Sequence, residues 1–270
     1  MHPVERVATA VRHTRALEES LGLWNLVRPW YIRLLALLQP RGLKRVINGT
    51  DPVLLAHGLY QIPEAYEPDL WRLLMAEVRR GDIVADVGAS IGLYTLALAS
   101  RVGADGLVYS YEPDPESFGW LCRNVALNQL SERVRVFCCA LGEKDGSLGF
   151  AGGRGTESMV VLAEPQATNQ VQAVRLDSVF AHDRLDILKI DVEGFEEKVL
   201  RGAAGLLSDP ARAPRCMFVE VHPFAWDLFG VSDQSLLGFL TGKGYQVRDL
   251  LGDRVQQIPN HGVVVAQRSG

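Results

Sequence analysis

The run Ile83-Val84-Ala85-Asp86-Val87-Gly88-Ala89-Ser90-Ile91-Gly92-Leu93-Tyr94-Thr95 decides how this chain is read. An apolar, β-branched strand carries Asp86 near its end, a turn holds Gly88 and Gly92, and a helical pattern begins at once. Glycines in such a turn let the backbone approach a ligand closely, and the start of the helix offers free N–H groups. A dinucleotide fingerprint places glycines at the first, third and sixth positions. Here Gly88 and Gly92 stand four apart, which serves a pyrophosphate poorly.

Outward from this run, Leu107 to Tyr111 forms a second strand that leads into Glu112. In a doubly wound sheet, an acid there accepts hydrogen bonds from both ribose hydroxyls. From residue 81 onward, β-branched apolar runs alternate with runs of helical period. The strands read as Ile83–Val87, Leu107–Tyr111, Val134–Leu141, Ile187–Val192 and Arg215–Val221, with a terminal pair at Tyr245–Leu251 and Gly262–Gln267. This pattern predicts an α/β fold with a mostly parallel sheet and helices on both faces. Residues Gly142 to Gln172 break it with glycines and polar residues, as an antiparallel hairpin excursion would, and Gly152–Ser158 reads as a loop.

The 270 residues are 47% hydrophobic and 22% charged, which excludes intrinsic disorder. A net charge of −4 argues against a nucleic-acid-binding stripe, whose affinity comes from clustered Lys and Arg. Cys122, Cys138, Cys139 and Cys216 lie in apolar runs without zinc spacing and read as reduced, buried thiols of a cytoplasmic protein. Residues 1–80 form an N-terminal helical extension, with helices at Val4–Leu23 and Trp30–Leu38 and short strands between Lys44 and Tyr60. Arg28, Pro29 and Arg33 interrupt its apolar stretch Leu21–Leu38, so a helix packed on the domain or on a second copy of the chain is expected there, and no membrane span.

The segments Asp86–Gly92, Tyr111–Asp114 and Ala140–Gly142 resemble motifs of class I S-adenosylmethionine-dependent methyltransferases. Tyr66-Glu67-Pro68, Leu188–Glu196 and Phe218–His222 resemble, more closely, the FkbM family of O-methyltransferases. The resemblance spans Leu59 to His222. It implies a Rossmann-like, seven-stranded, mostly parallel sheet in residues 81–270. It also implies cofactor contacts from Asp86, Gly88, Ala89, Ser90 and Gly92 toward the methionine portion, from Glu112 with Pro113 toward the ribose, and from Ala140 and Leu141 toward the adenine. Tyr94, Thr95 and Asp191 complete that set. The chain departs from the family at Cys138, where Asn is common. The implied acceptors are sugars and secondary-metabolite scaffolds in natural product biosynthesis.

Methyl transfer needs the acceptor oxygen brought close, its proton removed and water excluded. The candidates end the fourth and fifth strands. Asp191 and Glu193 share one side, about 7 Å apart if the strand stays extended. Glu220 and His222 share another, while Lys189 reads as a solvated strand-end residue. One reading makes Asp191 or His222 the general base. The other lets Asp191 and Glu220 hold Mg²⁺. No Asn-Pro-Pro-Tyr-like segment follows the fourth strand, which argues against amino methylation. A cofactor-binding module without turnover and an NAD-dependent oxidoreductase are the competing readings.

Overall fold

The computed structural model describes residues 21–151, 159–160 and 170–268. The expected Gly152–Ser158 loop and most of the expected Val4–Leu23 helix lie outside them. Helix α1 (Leu21–Leu38) is followed by the antiparallel strands β1 (Leu43–Ile47) and β2 (Asp51–Leu55), and then by α2 (Pro68–Glu77). The helix expected from Trp30 starts earlier: α1 runs through Pro29, whose fixed φ is compatible with a helix although its ring forfeits one backbone hydrogen bond. Tyr31 and Leu35 of α1 are buried, with Tyr31 edge-on to Tyr60 at 5.2 Å. Leu26, Trp30, Leu34 and Leu37 are exposed. No helix among the described residues is long and apolar enough to cross a membrane.

Strands and helices then alternate as β3 (Ile83–Val87), α3 (Leu93–Val102), β4 (Leu107–Tyr111), α4 (Pro115–Leu127) and β5 (Val134–Phe137). The strands β6 (Ala140–Leu141), β7 (Gly146–Ala151), β8 (Met159–Val160) and β9 (Gln170–Val174) form a separate sheet in the order β6-β9-β7-β8. There β7 runs antiparallel to β8 and β9, as expected of the excursion. Alternation resumes with α5 (Leu176–Val179), β10 (Ile187–Ile190), α6 (Glu196–Arg201), α7 (Ala204–Ser208) and β11 (Cys216–Val221). It closes with α8 (Pro223–Trp226), α9 (Asp233–Gly242), β12 (Tyr245–Arg248) and β13 (Gly262–Arg268).

The main sheet has seven strands in the order β12-β13-β11-β10-β3-β4-β5, parallel except for β13, which is antiparallel to both neighbours. This is the seven-stranded, mostly parallel, Rossmann-like sheet that the family resemblance implied. Its central strands do not alternate because both faces are covered; all four residues of β10, Lys189 among them, are buried. On one face Leu188, Ile190 and Val219 pack beneath Leu176, Val199, Leu206 and Leu236. On the other, Val84, Val108 and Phe218 share a core with Leu96 of α3, Leu121 of α4, and Leu43, Leu55 and Trp71 of the N-terminal segment.

Polar contacts pin that segment in place. Asp51 accepts from Trp71 Nε1 at 2.8 Å and pairs with Arg101 of α3. The Asn128 amide accepts from the Leu54 N–H at 2.9 Å and donates to the Leu54 carbonyl at 2.7 Å, serving β2 as a further strand would. The cysteines are free: Cys139 and Cys216 are buried as expected, but Cys122 is half-buried and Cys138 exposed, because Cys138 lies just past the end of β5.

Gly88 is required by the protein's own backbone. Its φ is +79°, and a Cβ there would lie 1.8 Å from the Asp191 carbonyl oxygen. Gly88→Ala is therefore expected to destabilise the fold by about 2 kcal/mol or more, measured by denaturant unfolding. A variant as stable as the parent would show that β3 and β10 can separate at this point.

Candidate functional site

The turn after β3 folds back on the end of β4. The N–H groups of Gly88 and Ala89 both donate to the Tyr111 carbonyl at 3.0 Å, and that of Gly92 donates to Ala89 at 2.8 Å. Glu112 accepts from the Ser90 N–H through one oxygen and from the Asp114 N–H through the other, each at 2.8 Å. The expectation of free amides at this helix start is thus corrected for these residues: the hydrogens of Gly88, Ala89 and Ser90 are committed to Tyr111 and Glu112, and that of Gly92 to the turn itself. Burial pushes the Glu112 carboxyl up to about 7, against the lowering effect of the Asp114 and Ser90 amides.

A cavity of about 220 Å³ opens beside this turn. Gly88, Ala89, Ser90, Ile91, Leu93 and Tyr94 form one wall. Leu59, Ile62 and Tyr66 of the N-terminal segment form a second. Asp114 and α4 residues Glu116, Ser117 and Trp120 form a third, and Lys189 with Asp191 closes the end. Of the residues expected to hold the cofactor, Gly88, Ala89, Ser90, Tyr94 and Asp191 line it directly. Asp86 and Thr95 lie fully buried beneath it, Thr95 Oγ1 donating to Asp86 Oδ2 at 2.6 Å and sharing a 2.8 Å hydrogen bond with Ser110. Ala140 and Leu141 are buried in β6, paired with β9. Tyr94 does more than pack, since its hydroxyl donates to Glu67 at 2.7 Å. Trp120 and the side chain of Tyr66 escaped the sequence reading, although Tyr66-Glu67-Pro68 was noticed as a motif; a single tryptophan on an amphipathic helix gives no sign of which cavity it meets.

Lys189 overturns its solvated reading. It is 2% exposed, its Nζ 3.8 Å from Asp86, 3.5 Å from Asp191 and 4.7 Å from the centre of the Tyr94 ring. Burial alone would lower its pKa, but the charges of Asp191 and Asp86 more than offset that and hold the ammonium above its ordinary value. Asp86 is raised by burial, with Lys189 and Thr95 opposing.

β10 stops at Ile190, and the chain turns through Glu193 and Gly194 at φ +49° and +101°. The extended spacing expected between Asp191 and Glu193 is not kept. Instead Asp191, Glu193 and His222 bring ligand atoms within 4.8 Å of one another, and so do Glu220, His222 and His261. Asp191 and Glu220, the expected Mg²⁺ pair, thus fall in separate groups joined by His222. The His222 ring lies between Glu196, 2.7 Å from Nδ1, and Glu193, 3.4 Å from Nε2. Burial would lower the His222 pKa, while Glu196 and Glu193 raise it to a net upward shift. Burial also raises Glu193 and Glu220. Glu196 and His261 carry no signal in the sequence for this role; only the turn after β10 and the β11–β13 register bring them here.

The sequence model of the methyltransferase FkbM domain matches residues 86–247, more than half of the chain. Methyltransferase sdnD of Sordaria araneosa is 25% identical over 233 residues, covering 72% of this chain and 84% of the relative. The 31-O-demethyl-FK506 methyltransferase FkbM of Streptomyces tacrolimicus is 29% identical over 208 residues, covering 63% and 75%. Hexuronic acid methyltransferase AglP of Haloferax volcanii is 23% identical over 159 residues, covering 58% of this chain and 62% of its own length.

Two outcomes follow from the buried charges. Lys189→Met leaves Asp86 buried without its cation and is expected to cost about 3–5 kcal/mol, read by chemical denaturation. A loss below about 1 kcal/mol would show that Asp86 is neutral in the fold. For Glu112, the folded protein binds the proton more tightly than the unfolded chain between the ordinary 4.5 and about 7. Its contribution to stability therefore declines as pH rises through that window. Glu112→Gln should remove this slope from the pH dependence of unfolding, and an unchanged slope would contradict the raised value.

Proposed function

The chain belongs to the FkbM methyltransferase family, and from that premise we propose that it transfers a methyl group from S-adenosylmethionine to a hydroxyl of a small molecule. The observation that carries the cofactor is the state of the turn after β3. Its Gly88, Ala89 and Ser90 amides are bonded to Tyr111 and Glu112, so they are not offered to a pyrophosphate. Asp114, Glu116 and Asp191 line the cavity with acid, and Glu112 lies buried against Ser90 and Asp114 of its lining, which favours a cationic sulfonium over a dinucleotide.

The residues present fit this cofactor. Each Glu112 oxygen accepts one N–H, and a carboxylate oxygen has a second acceptor position, enough for the two hydroxyls of a ribose. Gly88, Ala89, Ser90 and Tyr94 would hold the methionine portion, with Asp86, Gly92 and Thr95 supporting the turn from behind. When bound, the cofactor supplies an electrophilic methyl carbon on a sulfur that leaves as a neutral thioether. Asp191 is the one of the four candidate catalytic residues that lines the cavity, and we assign it the acceptor's hydroxyl proton. Lys189, 3.5 Å away, orients its carboxylate. Leu59, Ile62, Tyr66 and Trp120 exclude water and pack against the acceptor scaffold.

Two relatives are named for polyoxygenated molecules, a hexuronic acid and 31-O-demethyl-FK506. We accordingly take sugars and secondary-metabolite scaffolds as the acceptor class. Calorimetric titration is expected to show binding of S-adenosylhomocysteine and none of NAD; the reverse would replace methyl transfer by redox chemistry. Transfer of labelled methyl to a panel of glycosides and macrolides tests turnover, and cofactor binding without transfer would favour a silent module. Asp191→Asn is expected to lower kcat by about a hundredfold or more while S-adenosylhomocysteine still binds. Near-parental kcat would remove Asp191 as the base.

A further inference from the structure

β11 and β13 are antiparallel with Val221 opposite Gly262, so one step beyond the ladder His222 meets His261 across the end of the sheet. The two rings lie 4.7 Å apart, tilted by 35°. His261 Nε2 is 2.8 Å from Glu220 Oε1, and ligand atoms of Glu220, His222 and His261 all fall within 4.8 Å of one another. Two donors bonded to one metal at about 2.1 Å stand about 3.0–3.5 Å apart, so small side-chain rotations bring these three onto a common ion.

Further features separate this group from an ordinary ion-pair network. Glu196 is fully buried and held by the Trp226 indole N–H at 2.9 Å and the Gly194 N–H at 2.7 Å. With its carboxylate 2.7 Å from His222 Nδ1, it fixes the ring proton on that nitrogen and leaves Nε2 as the free donor, the carboxylate–histidine arrangement that orients metal ligands. Glu220 Oε2 is buried with no hydrogen-bond partner. Lys189 is ion-paired with Asp86 and Asp191, whereas the ion pairs of Glu193 and Glu220 among the described residues are with His222 and His261.

We propose that Glu220, His222 through Nε2, and His261 bind a divalent first-row transition-metal ion, with Glu193 as the neighbouring carboxylate. Imidazole together with carboxylate selects Mn²⁺, Fe²⁺, Co²⁺ or Zn²⁺ over Mg²⁺, which prefers oxygen donors throughout. The site therefore differs from an all-carboxylate Mg²⁺ pair in both ligands and ion. Three protein donors leave coordination positions open, and Asp191, grouped with His222 and Glu193, stands between this site and the end of the cavity.

Chelator-treated protein titrated with Co²⁺, with neither cofactor nor acceptor present, tests the site directly. Saturating visible ligand-field bands at one ion per chain are expected, undisturbed by equimolar Mg²⁺. His261→Ala, which removes a half-exposed side chain, and Glu220→Gln should each weaken Co²⁺ binding by at least about tenfold, and Glu196→Gln by about 10–100-fold. Absence of the bands, displacement by equimolar Mg²⁺, or folded His261→Ala and Glu220→Gln proteins that bind Co²⁺ like the parent would each overturn the assignment. S-adenosylhomocysteine binding to the same metal-free protein is read separately, so the metal and the methyl-transfer readings fail independently.

Discussion

A single buried ammonium organises this protein. Lys189 stands opposite Asp86 in the parallel ladder between β10 and β3, and its Nζ lies between Asp86 and Asp191. Taking the Lys189 and Asp86 charges out of water is costly unless they satisfy each other, and the partly exposed Asp191 adds a second anion to the ammonium. The charges are held where the two central strands end, beneath the turn that starts α3. Directly above them the Gly88 backbone rests on the Asp191 carbonyl so closely that no side chain fits. The cavity, the acid at its end and the approach of the Tyr66 segment all depend on that junction.

Two further buried carboxylates repeat one device at neighbouring strand ends. Glu112 binds the Ser90 and Asp114 amides and so fixes the turn after β3 to the residues after β4. Glu196 binds the Gly194 amide, the Trp226 indole and the His222 ring, and so fixes the turn after β10 to the end of β11. In each case a carboxylate takes up donors that a loop would otherwise bury unsatisfied. Each Glu112 oxygen accepts one N–H, whereas Glu196 Oε1 meets both the Gly194 amide and the His222 ring.

The succession of strands and helices along the chain and the position of the first turn were legible because they rest on local pattern. Central strands covered on both faces do not alternate apolar with polar residues, and the chain shows this at Ile83–Val87 and Ile187–Ile190, which are apolar except for Asp86 and Lys189. The candidate acids stood out for the same reason, since they interrupt apolar runs near strand ends. Their partners were not legible. Lys189 looked like a solvated terminus because a lysine at a strand end usually is one; its burial depends on two acids, one of them about a hundred residues away. Asp191 and Glu193 were spaced as an extended strand would space them, but the left-handed turn at Glu193 folds both toward His222.

By itself, then, the sequence determined an α/β sheet with a glycine turn at its centre, the family, and the candidate acids Asp86, Glu112, Asp191, Glu193 and Glu220, because periodicity and motif order act over short distances along the chain. Only the tertiary structure decided which of these face the cavity and which are braces, that the turn's amides are committed, and that His261 meets His222. Hydrogen-bond satisfaction and charge pairing in a buried interior are settled among groups that are neighbours in space, and the register between β11 and β13 makes residues about forty positions apart into such neighbours.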